Sequence, residues 1–198
     1  MKLIAIAAAS TLLMLGGAAQ AQQARSTVGG TYAELGYTQL KFSGEGASLK
    51  PSALRGIVGY DFHPNFAVEG MLAFGVRDDS ISETVVSGTD TATANVKVKL
   101  QHAYGVYLKP KANVTDALEV FGRLGYTRAK VKGTADVSLN GVNVGSMSDS
   151  SSDGGVSYGL GANFKFSPAA YVGIDYMHYF KKDGVKAEGF TVGVGFRF

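Results

Sequence analysis

From residue 30 onward the chain alternates apolar and polar positions with a period of two, the pattern of strands with two unlike faces. "TYAELGYTQL" sets Ala33, Leu35 and Tyr37 against Tyr32, Glu34, Gly36 and Thr38. "LRGIVGYDF" sets Leu54, Val58, Tyr60 and Phe62 against Arg55, Gly59 and Asp61. "FAVEGMLAFGVR" sets Phe66, Val68, Leu72, Phe74 and Val76 against Ala67, Glu69, Met71, Gly75 and Arg77. In "NVKVKLQHAYGVYLK", Val96, Val98, Leu100, Tyr104, Val106 and Leu108 oppose Lys97, Lys99, Gln101, Gly105 and Tyr107. "LEVFGRLGY", "VSYGLGANFKF", "YVGIDYMHYF" and "GFTVGVGFRF" repeat the arrangement. The runs number eight and are roughly ten residues each, the length of a tilted membrane strand.

The connections alternate as well. Those near residues 63, 112 and 168 are short, with Pro64-Asn65, Pro110 and Ser167-Pro168 as turn formers. Those near 45, 85 and 142 are longer and polar, and the one near 183 is short. Short turns at one rim and longer loops at the other predict a closed eight-stranded antiparallel transmembrane β-barrel, all-β in class. A soluble sandwich would bury the apolar face and wet the polar one; a membrane barrel turns the apolar face to lipid. Glycine favours the second reading. It recurs on the polar face, where a narrow barrel needs room for long side chains. Aromatic residues at the ends of the apolar faces, from Tyr37, Tyr60 and Phe62 to Phe164, Phe180 and Phe196, fit girdles at the two interfaces.

Composition agrees. Charged residues are only 18% and glycines number 27, which suits strands and disfavours helices, where each Gly costs about 1 kcal/mol. The net charge of +3 is too slight for a nucleic-acid binder. There is no cysteine, so neither disulfides nor a lipid-attachment site is expected. Lys2, the apolar run from Leu3 to Leu15, and Ala19-Gln20-Ala21 form a secretory signal. The expected division is a cleaved signal peptide over 1–21 and a barrel over 22–198.

An eight-stranded barrel is only wide enough for its own side chains. The inward parity carries Glu34, Arg55, Asp61, Glu69, Arg77, Lys97, Lys99, Glu119, Arg123, Lys165, Asp175 and Arg197. Charges removed from water must pair, so an ion-pair network that plugs the lumen is expected, not an open channel.

These runs, the signal sequence, the "DFHPNFAVE" turn and the ending "GVGFRF" resemble the small outer-membrane β-barrel proteins of Gram-negative bacteria. That family includes the OmpX- and OmpA-type barrel domains and the opacity-like surface antigens. The resemblance implies export through the periplasm to the outer membrane, contact with its lipid and lipopolysaccharide, and a monomer. It also implies that Val192, Val194, Phe196 and Phe198 form a signal for the outer-membrane assembly machinery.

No chemistry is evident. His63, His102 and His178 have no nucleophile in a recognisable motif beside them. No Cys/His cluster has metal-ligand spacing, so no enzyme activity and no cofactor are expected. The polar segments Asp78 to Ala94 and Gly133 to Asp153 contain acids but no Lys or Arg, and are expected as solvated external loops, with divalent-cation contacts to lipopolysaccharide as a sharper option. Within the second, "VSLNGVNV" predicts a type I′ hairpin at Asn140-Gly141, pairing Leu139 with Val142 and Val137 with Val144. Such pairs join residues of opposite parity, whereas the membrane runs on either side must pair like parities. A bulge or break is therefore expected, placed at Gly145 to Gly155. The projecting hairpin offers an edge to an extracellular protein. The expected function is a structural or surface-interaction, adhesin-like role, with a small gated pore for ions or solutes as the alternative.

Overall fold

The computed structural model describes residues 29–44, 47–87, 90–182 and 184–198; the expected signal peptide lies outside the described residues. Ten strands follow in chain order: β1 (Gly30–Gly44), β2 (Ala47–Leu49), β3 (Ser52–His63), β4 (Phe66–Arg77), β5 (Asp79–Ser87), β6 (Asp90–Asn113), β7 (Leu118–Leu139), β8 (Val142–Lys165), β9 (Ala170–Lys182) and β10 (Val185–Arg197). Eight of them, β1, β3, β4, β6, β7, β8, β9 and β10, pair in that order, and β10 pairs with β1 to close the ring. Strand β2 extends the sheet beside β1, and β5 extends it beside β6.

Closure runs from Tyr32 opposite Arg197 to Ser43 opposite Lys186. Beyond that ladder the Phe198 amide donates to the Thr31 carbonyl at 3.0 Å, and the Thr31 amide and hydroxyl both donate to the Phe198 carbonyl. With the ring shut, the spanning strands present no free edge to lipid. The short turns lie together at one end. There Pro64 and Asn65 link β3 to β4, and the Asn65 amide donates to His63 Nδ1 at 3.1 Å.

The outward faces are apolar and exposed: Leu35, Leu54, Val58, Val68, Leu72, Val106, Leu124, Leu160, Ile174 and Val194 among others. Such a surface is stable in hydrocarbon, not in water. Tyr37, Phe74, Tyr104, Tyr126, Tyr158, Tyr176 and Phe190 lie on this outer surface toward the end opposite the short turns, and Phe62, Phe66, Phe164, Phe166, Phe196 and Phe198 toward the turns. The inward glycines serve aromatic rings more than charges. A Cβ on Gly59 would strike the Tyr32 ring, and one on Gly195 the Tyr171 ring.

Two irregularities reassign faces. In β6 the pairing with β7 skips Gln101, between Leu100 opposite Val131 and His102 opposite Lys130. Below this bulge the odd residues Ala103, Tyr107 and Lys109 point inward; above it the even residue Leu100 does. In β9 the ladder to β10 skips Tyr179, so Phe180 sits opposite Ala187 and is buried. The expectation that put Phe180 on the lipid girdle is corrected by that one-residue shift.

The segments expected to be loops are strands. β6, β7 and β8 run 24, 22 and 24 residues, far longer than a bilayer needs. With β5 they continue past the barrel as a four-stranded sheet. Their Ser, Thr and Val content is compatible with a sheet wet on one face.

Candidate functional site

The inside of the barrel is layered. Toward the short-turn end, Lys111 of β6 pairs with Asp61 of β3 at 2.6 Å, and Arg197 of β10 reaches both Asp61 (2.6 Å) and Glu119 of β7 (3.2 Å). Lys165 stands 3.7 Å from Glu119, which also accepts from the Asn163 amide at 3.0 Å.

The middle layer holds Glu34, Glu69 and Asp175 against Arg55, Lys109 and Arg123, all buried. Arg123 is its hub. Nε donates to Glu69 Oε2 at 2.5 Å, Nη1 to Asp175 Oδ2 at 2.7 Å, and Nη2 to Glu34 Oε2 at 3.4 Å. Arg55 donates to Asp175 and, at 3.0 Å, to Glu34. Lys109 lies 3.2 Å from Glu69 and over the rings of Tyr32 and Phe121. Tyr32 donates its phenol to Glu69 Oε1 at 2.6 Å. Three carboxylates therefore meet three cations, the balance that burial of charge demands.

Above the charges the lumen turns apolar. Leu40, Ala53, Met71, Ala73, Leu100, Ala103, Ala129, Phe180 and Ala187 pack together around a residual cavity of about 20 Å³. Above them a mouth of about 520 Å³ opens between Phe42, Leu49, Val98, Val131 and Val185. At its rim Lys182 Nζ donates to Asp153 Oδ1 at 2.6 Å, which holds the Asp153 carboxyl below its usual range, helped by the Ser151 hydroxyl.

The projecting sheet inherits this layering. On β7 the apolar parity switches without any bulge. Leu124 and Tyr126 face outward; from Ala129 on, the apolar residues Val131, Ala135, Val137 and Leu139 follow the inward parity. The face that continues the lumen thus carries Val85, Val96, Val137, Leu139, Val142 and Met147, all exposed. The opposite face carries Ser80, Ser82, Thr93, Asn95, Thr134 and Ser148. β8 meets β9 only from Tyr158 to Lys165, so residues 142–155 pair with β7 alone among the described strands.

Of the twelve charged residues expected inside, Glu34, Arg55, Asp61, Glu69, Glu119, Arg123, Asp175, Arg197 and Lys165 meet there, Lys165 at the open rim. Arg77, Lys97 and Lys99 do not; all three are exposed. The Gln101 bulge turns Lys97 and Lys99 outward, and Lys99 stands 3.8 Å from Asp78 at the surface. Arg77 sits where the ladder between β3 and β4 shifts, opposite Ser52. The network also contains residues absent from that expected set: Lys109, Lys111 and Tyr32. Lys109 shares the inward parity of Gly105 and Tyr107. Lys111 lies beyond Pro110, which suggested a turn, yet β6 runs on to Asn113.

The hairpin turn forms at Asn140 and Gly141, with φ of 47° and 80°, and Leu139 faces Val142. Val137 faces Gly145, not Val144. The required shift falls at Val144 itself, one residue before the stretch where it was expected. The acids of these segments bind local donors: Asp79 accepts from the Lys50 amide, Asp90 from the Asn140 side chain, and Asp136 from the Ser146 hydroxyl. Val192, Val194, Phe196 and Phe198 lie exposed on the lipid-facing side of the closing seam.

The chain is similar in structure to the attachment invasion locus protein Ail of Yersinia pestis, at 22% identity and a TM-score of 0.56, covering 87% of this chain and 100% of that one. Ail has also been solved with the heparin analogue sucrose octasulfate. Neisserial surface protein A matches at 13% identity and TM-score 0.57, over 85% of this chain and 97% of that one. OprG of Pseudomonas aeruginosa matches at 12% and 0.52, over 86% and 96%. At these identities the likeness is one of fold. No curated protein matches the chain. Residues 10–198 match the model of the outer membrane protein beta-barrel domain, and with the closed ring and its lipid-facing belt this establishes that the chain belongs to that family and resides in the outer membrane.

Proposed function

We propose that this chain is a plugged outer-membrane barrel whose work is surface interaction, adhesin-like in kind, carried out by the sheet formed by β5 to β8. Residues 1–21 serve as the signal peptide and 22–198 as the mature barrel, which acts as a monomer without catalysis. The observation that carries the reading is the projecting sheet: an apolar face left exposed in water, flanked by the open edge of residues 142–155. Exposed apolar surface and an unpaired strand edge mark docking sites, and an edge of this kind recruits an extended segment of a partner by strand addition. Ail, a barrel of the same fold, has been crystallised with a polyanionic sugar; here the apolar face favours a polypeptide. Deleting residues 133–153 is expected to abolish adhesion of displaying cells to host cells or matrix while the barrel still migrates faster unboiled than boiled. Unchanged adhesion would remove the reading.

The middle layer of ion pairs supports the plug. Passage would require parting Arg55 and Arg123 from Glu34, Glu69 and Asp175, several kcal/mol per exposed ion. Reproducible large conductance in planar bilayers would replace the plugged barrel with the pore.

A further inference from the structure

Register sets the make-up of the lumen-side face of the projecting sheet. One rung runs from Asp79 on β5 through Val98 on β6 and Gly133 on β7 to Asp149 on β8. Directly opposed residues share a face, so an acid stands at each end of this rung, with only an apolar side chain and a glycine between. Two rungs further out, Glu83 lies opposite Ala94, Ala94 opposite Val137, and Val137 opposite Gly145. The rung between them sets Val96 beside Ala135, and Ala135 beside Met147. The floor of the face is therefore Ala94, Val96, Val98, Gly133, Ala135 and Val137, all small or β-branched, with carboxylates on both flanks. Three strand spacings separate β5 from β8, about 14 Å. Asp78 pairs with Lys99 on the outer face, and Asp153 with Lys182 at the mouth. Asp79, Glu83 and Asp149 have no cation within ion-pair distance among the described residues. Asp79 accepts the amides of Lys50 and Ser80, and Asp149 that of Ser150. Lys97, Lys130 and Lys132 belong to the other face of the same strands.

An apolar floor standing in water is stabilised by an apolar cover, and two acidic flanks select a cover bordered by positive charge. A helix with its side chains is about 10–12 Å across and fits between flanks about 14 Å apart. A single extended strand, about 5 Å wide, would reach one flank and leave the other unanswered. We infer that the lumen-side face of β5 to β8 binds a cationic amphipathic helix of a partner polypeptide. Its apolar stripe lies on Val96, Val98, Ala135 and Val137. Lysines or arginines along its two borders meet Asp79 and Glu83 on one flank and Asp149 on the other. The inference rests on the reading of this sheet as a protein-docking surface and names what the partner presents to the face; the edge of residues 142–155 stays open to strand addition.

The test uses the folded barrel in phosphatidylcholine nanodiscs and two dye-labelled leucine–lysine peptides of equal length and composition. One places its leucines at helical periodicity; the other alternates leucine and lysine strictly. Binding is read by fluorescence anisotropy, with empty nanodiscs as the background. The wild type is expected to bind the helical peptide about tenfold more tightly than Asp79→Asn/Glu83→Gln/Asp149→Asn does, the effect of three exposed ion pairs. Val96→Thr/Val137→Thr, which keeps the shape of the floor and removes its apolarity, should weaken binding several-fold. Asp78→Asn/Asp116→Asn/Asp136→Asn removes the same charge elsewhere and should bind as the wild type does; heat-modifiable migration shows that each variant is folded. Equal binding by the wild type and the flank variant overturns the inference. So does equal loss from the control variant, which would make the effect one of net charge. Binding of the alternating peptide as tight as that of the helical one overturns the assignment to a helix. Adhesion lost on deleting residues 133–153, with no difference between wild type and flank variant, removes this inference and leaves the adhesin-like reading standing; adhesion unchanged by that deletion removes both.

Discussion

Arg123 and Asp175 meet inside the barrel at 2.7 Å, although they come from β7 and β9, which are separated in the ring by β8. The same guanidinium touches Glu69 of β4 and Glu34 of β1. One side chain thus braces four strands across the lumen. The backbone ladder holds neighbours together; this hub holds strands that are not neighbours.

Removing the hub leaves three buried carboxylates with too little positive charge. Arg123→Met should destabilise the barrel by about 3–5 kcal/mol, the cost of breaking a buried ion pair from one side. Arg197→Met, at the partly open rim, should cost less than half as much. The urea midpoint of the folded, heat-modifiable band measures both.

Faces above the Gln101 bulge can be checked by charge. Leu100→Asp places a carboxylate in the apolar layer and should cost more than about 3 kcal/mol. Lys99→Asp, on the exposed side, should cost under about 1 kcal/mol, since its contact with Asp78 is a surface one. Unbroken alternation through β6 would demand the reverse order in the same urea measurement.

The Asp153–Lys182 pair makes the mouth pH-sensitive. Because the folded carboxyl titrates below its ordinary value near 4, the contribution of the pair is present above that ordinary value and is lost as pH falls through the lower folded one. The carboxyl carbon of Asp153, followed by NMR, should titrate below the ordinary aspartate value. Lys182→Met should raise its midpoint toward the ordinary one; an unmoved midpoint would exclude Lys182 as the cause.

Phe198 separates assembly from stability. Its backbone bonds to Thr31 survive side-chain truncation. Phe198→Ala should therefore slow insertion by the assembly machinery several-fold while leaving the urea midpoint of the inserted barrel within about 1 kcal/mol of wild type. Equal effects on both would refute the division.

Much of the barrel was legible because lipid makes alternation strict. Leu118, Val120, Leu124 and Tyr126 had to face one way and Glu119 and Arg123 the other. The same parity put Glu34, Arg55, Glu69 and Asp175 on the inner face, where they are buried; Lys109 shares that parity but lies outside the expected set. A signal for the projecting sheet was also present in β7, where apolar residues pass from even positions at Tyr126 to odd positions at Ala129 and Val131. That switch marks a strand leaving lipid for water.

In β6 the same passage is silent. Val96, Val98, Leu100, Tyr104 and Val106 keep one parity throughout, because the extra residue Gln101 turns the backbone over where the environment also changes. Lys97 and Lys99 looked like lumen residues for that reason. By itself the sequence determined the strands, their inner and outer faces within the membrane, and the closed all-β class, since these follow from a local two-residue period read against lipid. Tertiary structure alone decided which charges meet, where bulges reset the faces, and that four strands continue as a sheet. Those depend on register between strands far apart in the chain, and a one-residue shift in register leaves no trace in a period of two.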